Sequence, residues 1–277
     1  MKIIDGRALA QKLRNNIANE VKQYSRPPGL AVILVGDDEA SQVYVRNKTK
    51  ACVEVGFYSD QIHKSANITE EELLNEVNRL NENPTIDGIL VQLPLPPHIN
   101  SNRIIEAIHP EKDVDGFSSE NVGKLSQNKA FICPCTPRGV MKMLESIKYD
   151  FKGKDCVIIG ASNIVGRPMS MELLNAGATV QVCHKGTKNI IEKAKAADVI
   201  IAAAGASKLV KSNWVKEGAV IIDVGINRLE DGTLSGDVDF DDVKDKVSAI
   251  SPVPGGVGPM TIAVLLENTL IAYQAKL

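Results

Sequence analysis

The chain has no C-x-x-C pair. Its five cysteines, Cys52, Cys133, Cys135, Cys156 and Cys183, are odd in number and scattered, which argues against a disulfide framework and for a reducing cytoplasm. "CPC" at 133–135 would be half a metal site at most. The four histidines stand nowhere near a second half, so no metal is expected. Long apolar runs are missing too. No stretch approaches the roughly 18 apolar residues of a spanning helix, and the opening "MKIIDGRALAQKLRNNI" holds no signal-peptide segment. A formal net charge of −2 leaves no cationic excess for nucleic acid or an anionic membrane. Internal repeats and low-complexity tracts are absent. What remains is 277 residues, 44% hydrophobic, enough for a real core and for about two domains of roughly 150 residues each.

The pattern alternates between strands and helices. Leu9, Leu13, Ile17 and Val21 recur every four residues, predicting an amphipathic helix over 7–24 that "RPPG" ends. "LAVILV" (30–35) reads as a buried parallel strand. After the turn "GDDEAS", Ser41 is the expected N-cap of a helix that Gly56 closes. A weak strand at 57–63 follows, then a helix over 70–82 with a Thr69/Glu72 capping box. The strand "DGILVQL" (87–93) runs into "PLPPH". A second set comprises "DCVIIG" (155–160), "ATVQVC" (178–183), "ADVIIAAAG" (197–205) and "GAVIIDVGIN" (218–227). An apolar helix is expected over 260–274. This is the order of two parallel α/β domains, with the boundary near "CPCTPRG" (133–139).

Tyr44 and Lys48 stand four residues apart, so they share a helical face. Such a pair is either a solvated surface or a proton-handling pair. In parallel sheets ligands gather beyond the carboxyl ends of the strands. "GDDEAS" and Gln92 both fall at that edge, and the helix carrying Tyr44 and Lys48 leaves it, which favours the second reading. "GASNIVG" (160–166) follows a strand and opens a helix, the context for a pyrophosphate at a helix N-terminus. It lacks the middle glycine of G-x-G-x-x-G, so a plain strand-to-helix turn stays open. After the second strand of that set, "CHKGTK" offers His184, Lys185, Thr187 and Lys188 and no acid. Cations there suit a 2′-phosphate and hence NADP, with a solvated basic loop as the alternative.

Tyr-x-x-x-Lys is also the catalytic pair of short-chain dehydrogenases, but there it follows the glycine loop within one domain. Here it precedes Gly160 by more than a hundred residues, and that family is rejected. Five segments, "YVRNKTKACVEVG", "ILVQLPLPPHI", "KDVDGF", "GASNIVGRPM" and "SPVPGGVGPMT", occur in order between about residues 5 and 270. Together they closely resemble the bifunctional methylenetetrahydrofolate dehydrogenase/methenyltetrahydrofolate cyclohydrolase family.

That resemblance implies oxidation of 5,10-methylenetetrahydrofolate with NADP to the methenyl cation and its hydrolysis to 10-formyltetrahydrofolate. It implies a catalytic folate-binding domain over 1–136, a Rossmann NADP-binding domain over 137–260, and a cleft between them. The helix at 261–277 is expected to pack back on the first domain. Lys48 matches the main catalytic group. Tyr44, Gln92 and Asp115 match residues that orient the folate or assist the lysine. The types suit the chemistry. A carboxylate at Asp115 can accept two hydrogen bonds from the pterin edge. An amine moves protons near neutral pH only if its pKa is pulled well down, as burial or a nearby positive charge does. Gln92 can hold that amine without adding charge. Tyr44 can stack on the ligand or bond to the lysine.

Val91 and Leu93 are expected to wall the pterin slot, and Pro254, Gly255, Gly256, Val257 and Gly258 to approach substrate through backbone. Gly160, Ala161, Ser162 and Ile226 match cofactor-contact positions, with Ile164 and Val165 in the same loop. Ala161 stands where many relatives carry arginine, which leaves more of the phosphate binding to Lys185. The resemblance further implies a homodimer through the Rossmann domain. An NAD-preferring dehydrogenase with weak cyclohydrolase activity is the alternative. A non-catalytic subunit would have no reason to keep Tyr44, Lys48, Gln92 and Asp115 together.

Overall fold

The computed structural model describes residues 1–277. The chain divides into two compact units: residues 11–135 with 262–277, and residues 1–10 with 136–261. It opens with a short strand β1 (Lys2–Ile3) and helix α1 (Gly6–Val21). The sequence reading had given residues 1–10 to the folate domain. They cluster with the other unit because β1 pairs in parallel with its last strand, Lys2 opposite Ala249 and Ile3 opposite Ile250.

The first unit holds a three-stranded parallel sheet ordered β3-β2-β4. β2 (Gly29–Val35) is buried at every residue, as a central strand covered on both faces must be. α2 (Glu39–Val55) follows. Its N-cap is Asp38, whose carboxylate accepts from the Ser41 N–H, so Ser41 is the capped residue and not the expected cap. The carboxylate is the stronger acceptor for a first-turn amide. Gly56 closes the helix at φ 81°, in the left-handed region that glycine favours. β3 (Tyr58–Lys64) is the edge strand and alternates in exposure. α3 (Glu70–Glu82) carries the full Thr69/Glu72 capping box. β4 (Gly88–Val91) stops short of the predicted 87–93, and two small helices follow, α4 (Ser101–Ala107) and α5 (Ser119–Ser126).

The second unit continues with α6 (Cys135–Ser146), whose first residues coincide with the expected domain boundary at 133–139. Pro137 lies in its first turn, where an amide proton would lack an intrahelical acceptor anyway. Then come β5 (Asp155–Ile159), α7 (Gly166–Asn175), β6 (Thr179–Cys183), α8 (Ile190–Ala196), β7 (Val199–Ala202) and β8 (Val220–Asp223). A small hairpin β9–β10 (Asn227–Arg228, Leu234–Ser235), a short α9 (Phe240–Val243) and β11 (Ala249–Ile250) precede α10 (Val257–Gln274). The six-stranded parallel sheet runs β1-β11-β8-β7-β5-β6.

The apolar C-terminal part of α10 belongs to the first unit. Val264, Leu265, Leu266, Leu270 and Tyr273 enter the cluster of Leu30, Val32, Val45 and Cys52. A polar lock closes it. The wholly buried Asp87 accepts from Arg26 at 2.7 and 2.9 Å, the Gly29 amide at 2.9 Å and Lys276 at 3.0 Å. Arg26 also lies 4.5 Å over the Tyr273 ring, a cation–π contact.

The second unit is organised by two buried carboxylates. Asp223 accepts from the backbone amides of Gly225, Asp237 and Val238 at 2.9–3.0 Å. Asp237 accepts from those of Ala204, Gly205 and Ala206 at 2.6–2.9 Å and from Asn227. Burial pushes Asp223 up to about 6 from 3.8, despite those amides and helped by the neighbouring Asp237 charge. A folded value above the unfolded one means stability that is fully present below pH ~4 and lost as pH rises through ~6. Wild type is therefore predicted to lose about 1–2 kcal/mol between pH 5 and 8 at this residue, whereas Asp223→Asn cannot titrate there. The melting-temperature difference, wild type minus variant, should fall by a few degrees over that range. A difference independent of pH would contradict this assignment.

Candidate active site

Tyr44 and Lys48 project from α2 one helical turn apart, and Cys52, one turn further along the same row, packs with Val45 and Val55 into the first unit's core. Tyr44 is 38% exposed and Lys48 is part-buried. Burial pushes the Tyr44 phenol up. The partner of Lys48 is Gln92. Gln92 follows β4 directly, and its backbone amide donates to Ile33 O at 2.9 Å, so the sheet fixes its position. Its side-chain nitrogen donates to Leu93 O at 2.7 Å, which turns its oxygen to accept from Lys48 Nζ at 3.0 Å. Of the two residues flanking Gln92, Leu93 is part-buried and Val91 is only 5% exposed. The Val91 side chain packs with Ile33, Leu73 and Val77 in the core beneath the sheet.

"KDVDGF" contains three charged residues with three different environments. The buried Lys112 donates to the carbonyls of Leu80, Asn81 and Asn83, satisfying the carboxyl end of α3. Burial pulls its pKa down to about 8. Asp113, 1% exposed, accepts from Gly116 N at 3.1 Å, Ser118 N at 2.8 Å and Asn121 Nδ2 at 3.0 Å. Asp115 takes none of these donors. Its carboxyl is pushed up by burial, held back by the nearby Lys48 charge and raised further by Asp113, and it lies beside the Cys135 thiol. Lys48, Gln92 and Asp115 therefore form one cluster, with Tyr44 one helical turn from Lys48.

In the second unit, the residues expected at a dinucleotide gather at the carboxyl edge of the sheet, after β5, β6 and β8. Gly160 has φ 133°, and a Cβ there would stand 2.0 Å from Ala203 O. One on Gly166 would stand 2.1 Å from Gly160 O. The loop thus admits only glycine at these two points, and its missing middle glycine is Ser162. Ser162 Oγ accepts from Val165 N at 3.2 Å, which leaves its proton free to be donated. α7 begins after Val165 with no side-chain cap; Arg167 N donates to Ser162 O at 3.0 Å and Pro168 carries no amide proton, so Gly166 N is the first-turn amide left to face an anion. These features fit a pyrophosphate cradle. Ala161 and Val165 are part-buried, and Ile164 and Ile226 are exposed. After β6, His184 N donates to Thr187 Oγ1 at 2.9 Å, and Gly186 N donates to His184 Nδ1 at 3.1 Å. This tight turn presents Lys185 and Lys188 to solvent.

Pro254, Gly255, Gly256, Val257 and Gly258 also belong to the second unit. Gly255 has φ 105°, and its carbonyl accepts from Arg7 N at 2.9 Å. A Cβ on Gly6 would stand 1.9 Å from Gly256 O. The segment is tightly built into its own unit. Sequence reasoning missed Cys135, Asn268, Asp113, Asp223 and Asp237. A polar Asn268 inside the apolar run of the last helix was the one legible signal among them.

Comparison with known proteins places the chain in a family. A family model described as tetrahydrofolate dehydrogenase/cyclohydrolase, catalytic domain, matches residues 4–115, and one described as its NAD(P)-binding domain matches residues 134–277. A bifunctional protein FolD from Ruthia magnifica subsp. Calyptogena magnifica is 60% identical over 277 residues, covering 100% of each chain. The crystal structure of the bifunctional enzyme FolD, a methylenetetrahydrofolate dehydrogenase/cyclohydrolase from Campylobacter jejuni, is 53% identical with a TM-score of 0.98 over 100% of both chains. The Trypanosoma brucei methylenetetrahydrofolate dehydrogenase-cyclohydrolase, complexed with NADP and an inhibitor, is 40% identical with a TM-score of 0.95, covering 99% of this chain and 97% of that one. With both family models matched in sequence order and full-length relatives at this identity, the chain belongs to the tetrahydrofolate dehydrogenase/cyclohydrolase family.

Proposed function

We propose that the protein oxidises 5,10-methylenetetrahydrofolate to the 5,10-methenyl compound with NADP and hydrolyses that compound to 10-formyltetrahydrofolate. The observation that carries this reading is the 3.0 Å hydrogen bond from Lys48 to an oriented Gln92, with Asp115 close enough for the lysine charge to act on its carboxyl. NADP, when bound, would supply the hydride acceptor for the bridging carbon. Gly160, the Gly166 amide at the start of α7 and Ser162 are the groups proposed to hold its pyrophosphate, and Lys185 its 2′-phosphate. Ile226 is proposed to line the same site.

Each residue then has a physical task. Asp115 accepts the paired N–H donors of the pterin edge and sets its orientation. Tyr44 offers a flat apolar face with a hydroxyl at its tip. After hydride loss the bridging carbon is electrophilic, and water adds to it. That water must lose a proton, and one ring nitrogen must gain a proton as its bond to the carbon breaks. Lys48 is the proposed carrier of these protons, and Gln92 keeps its amine in place while supplying no charge. Leu93, the main chain at Val91 and the segment Pro254–Gly258 are proposed to border the substrate. The family resemblance supports a homodimer through the NAD(P)-binding domain. It also supports a cytoplasmic role in supplying one-carbon units for purine, methionine and histidine synthesis.

Lys48→Met is expected to lower hydrolysis of the methenyl compound by about 10² to 10⁴, the usual worth of general acid–base help. Hydride transfer depends mainly on alignment, so some dehydrogenase activity should survive. A folded variant that hydrolyses at the wild-type rate would remove Lys48 from this role.

For the cofactor, Lys185→Asp should shift preference from NADP toward NAD. The expected loss for NADP is about 1–2 kcal/mol at a solvent-facing site, roughly tenfold in affinity. The new carboxylate would also repel the 2′-phosphate. The ratio of kcat/KM for the two cofactors at low salt is the measurement. An unchanged ratio would free Lys185 of the assignment and favour the NAD-preferring alternative if wild type also uses NAD well.

A further inference from the structure

Asp115 presents a problem of orientation. A carboxylate recognises paired donors only when its plane is aligned with them, yet its side chain takes none of the backbone donors that anchor Asp113. The alignment has to come from the main chain. On its N-terminal side, Asp113 ties Gly116 N, Ser118 N and Asn121 into one turn. On the other side, the loop lies directly on residues 133–135: a Cβ on Gly116, at φ 74°, would stand 2.8 Å from Pro134 N and 2.9 Å from Cys133 C. Asn268 joins these two segments. Its side-chain nitrogen donates to Val114 O at 2.8 Å and to Cys133 O at 2.8 Å, with Cys135 Sγ at 3.6 Å. Cys135 Sγ donates to Val114 O at 3.2 Å and lies beside the Asp115 carboxyl. Asn268 is 3% exposed on a helix otherwise lined with Val264, Leu265, Leu266 and Leu270. An amide in such surroundings is costly unless both of its protons are used, and here both go to carbonyls that flank the candidate site.

We infer that Asn268 is a positioning residue for folate recognition: by clamping the Val114 and Cys133 carbonyls it holds the Asp115 carboxylate in the plane that the substrate's paired donors require. The inference rests on the proposed role of Asp115. It differs from a purely structural role because its effect must run through that one carboxylate. Supporting groups of this kind, one shell removed from the ligand, commonly decide whether a site is well aligned or loose.

The test is a double-mutant cycle of Asn268→Ala and Asp115→Ala, reading affinity for a folate analogue, affinity for NADP and the melting temperature. Asn268→Ser, which keeps one donor, replaces Asn268→Ala if that variant fails to fold. Asp115→Ala should weaken folate binding by more than tenfold and leave NADP binding unchanged. Asn268→Ala should raise the KM for the folate substrate by roughly tenfold, with NADP affinity unchanged. Added to Asp115→Ala, it should cause little further loss of folate affinity. Unchanged folate affinity in Asn268→Ala, additive losses in the double variant, or equal losses for folate and NADP would overturn the inference. If Asp115→Ala alone left folate affinity intact, the proposed role of Asp115 would be the part that failed.

Discussion

Gln92 can offer Lys48 an acceptor because its own amide nitrogen is already committed to the Leu93 carbonyl. A side-chain amide is otherwise free to flip and present either end. Here the last residue of β4, the turn that follows it and the main-chain bond to Ile33 set the orientation together. The amine therefore meets an oxygen and gains a fixed, uncharged neighbour. Substitution of the Leu93 segment that moved this carbonyl would release the amide and with it the lysine. The site thus depends on the regularity of a parallel sheet more than on any ion pair.

The same economy of means recurs at the loops. Asp113, Asp223 and Asp237 are almost wholly buried, and each accepts several N–H donors. Carboxylates suit this task because they are acceptors only, with room for several donors each. They sit where strands end and irregular backbone begins, which is where the loops that carry Asp115, Ile226 and the 203–206 turn need support. The cost of burial shows at Asp223, whose pKa is pushed up to about 6.

Much of this was legible in the residues. Short apolar runs gave the central strands, Gly56 and the Thr69/Glu72 pair gave helix ends, and the absence of an acid after β6 pointed toward a phosphate. What escaped was non-local. β1 is only two residues long and exists because β11 lies beside it. The start of α6 reads as a domain boundary because Pro134, Pro137 and Gly139 cluster there, although Pro137 falls where a helix tolerates it. Asp38 outcompeted Ser41 as a cap, a choice between polar residues three apart that pattern alone could not make. Asn268 meets its partners more than a hundred residues away in sequence, and only folding brings them together. Val91 flanks the site residue Gln92 but turns into the core because successive side chains on a strand alternate in direction.

The claim that one cluster on one chain supports two successive reactions is tested most directly by following the purified protein with methylenetetrahydrofolate and NADP. The account predicts that NADPH forms and that the methenyl compound is consumed as it appears, yielding the 10-formyl product well above the uncatalysed rate of hydrolysis. Failure to form NADPH, or accumulation of the methenyl compound in step with NADPH at the uncatalysed rate of hydrolysis, would contradict it.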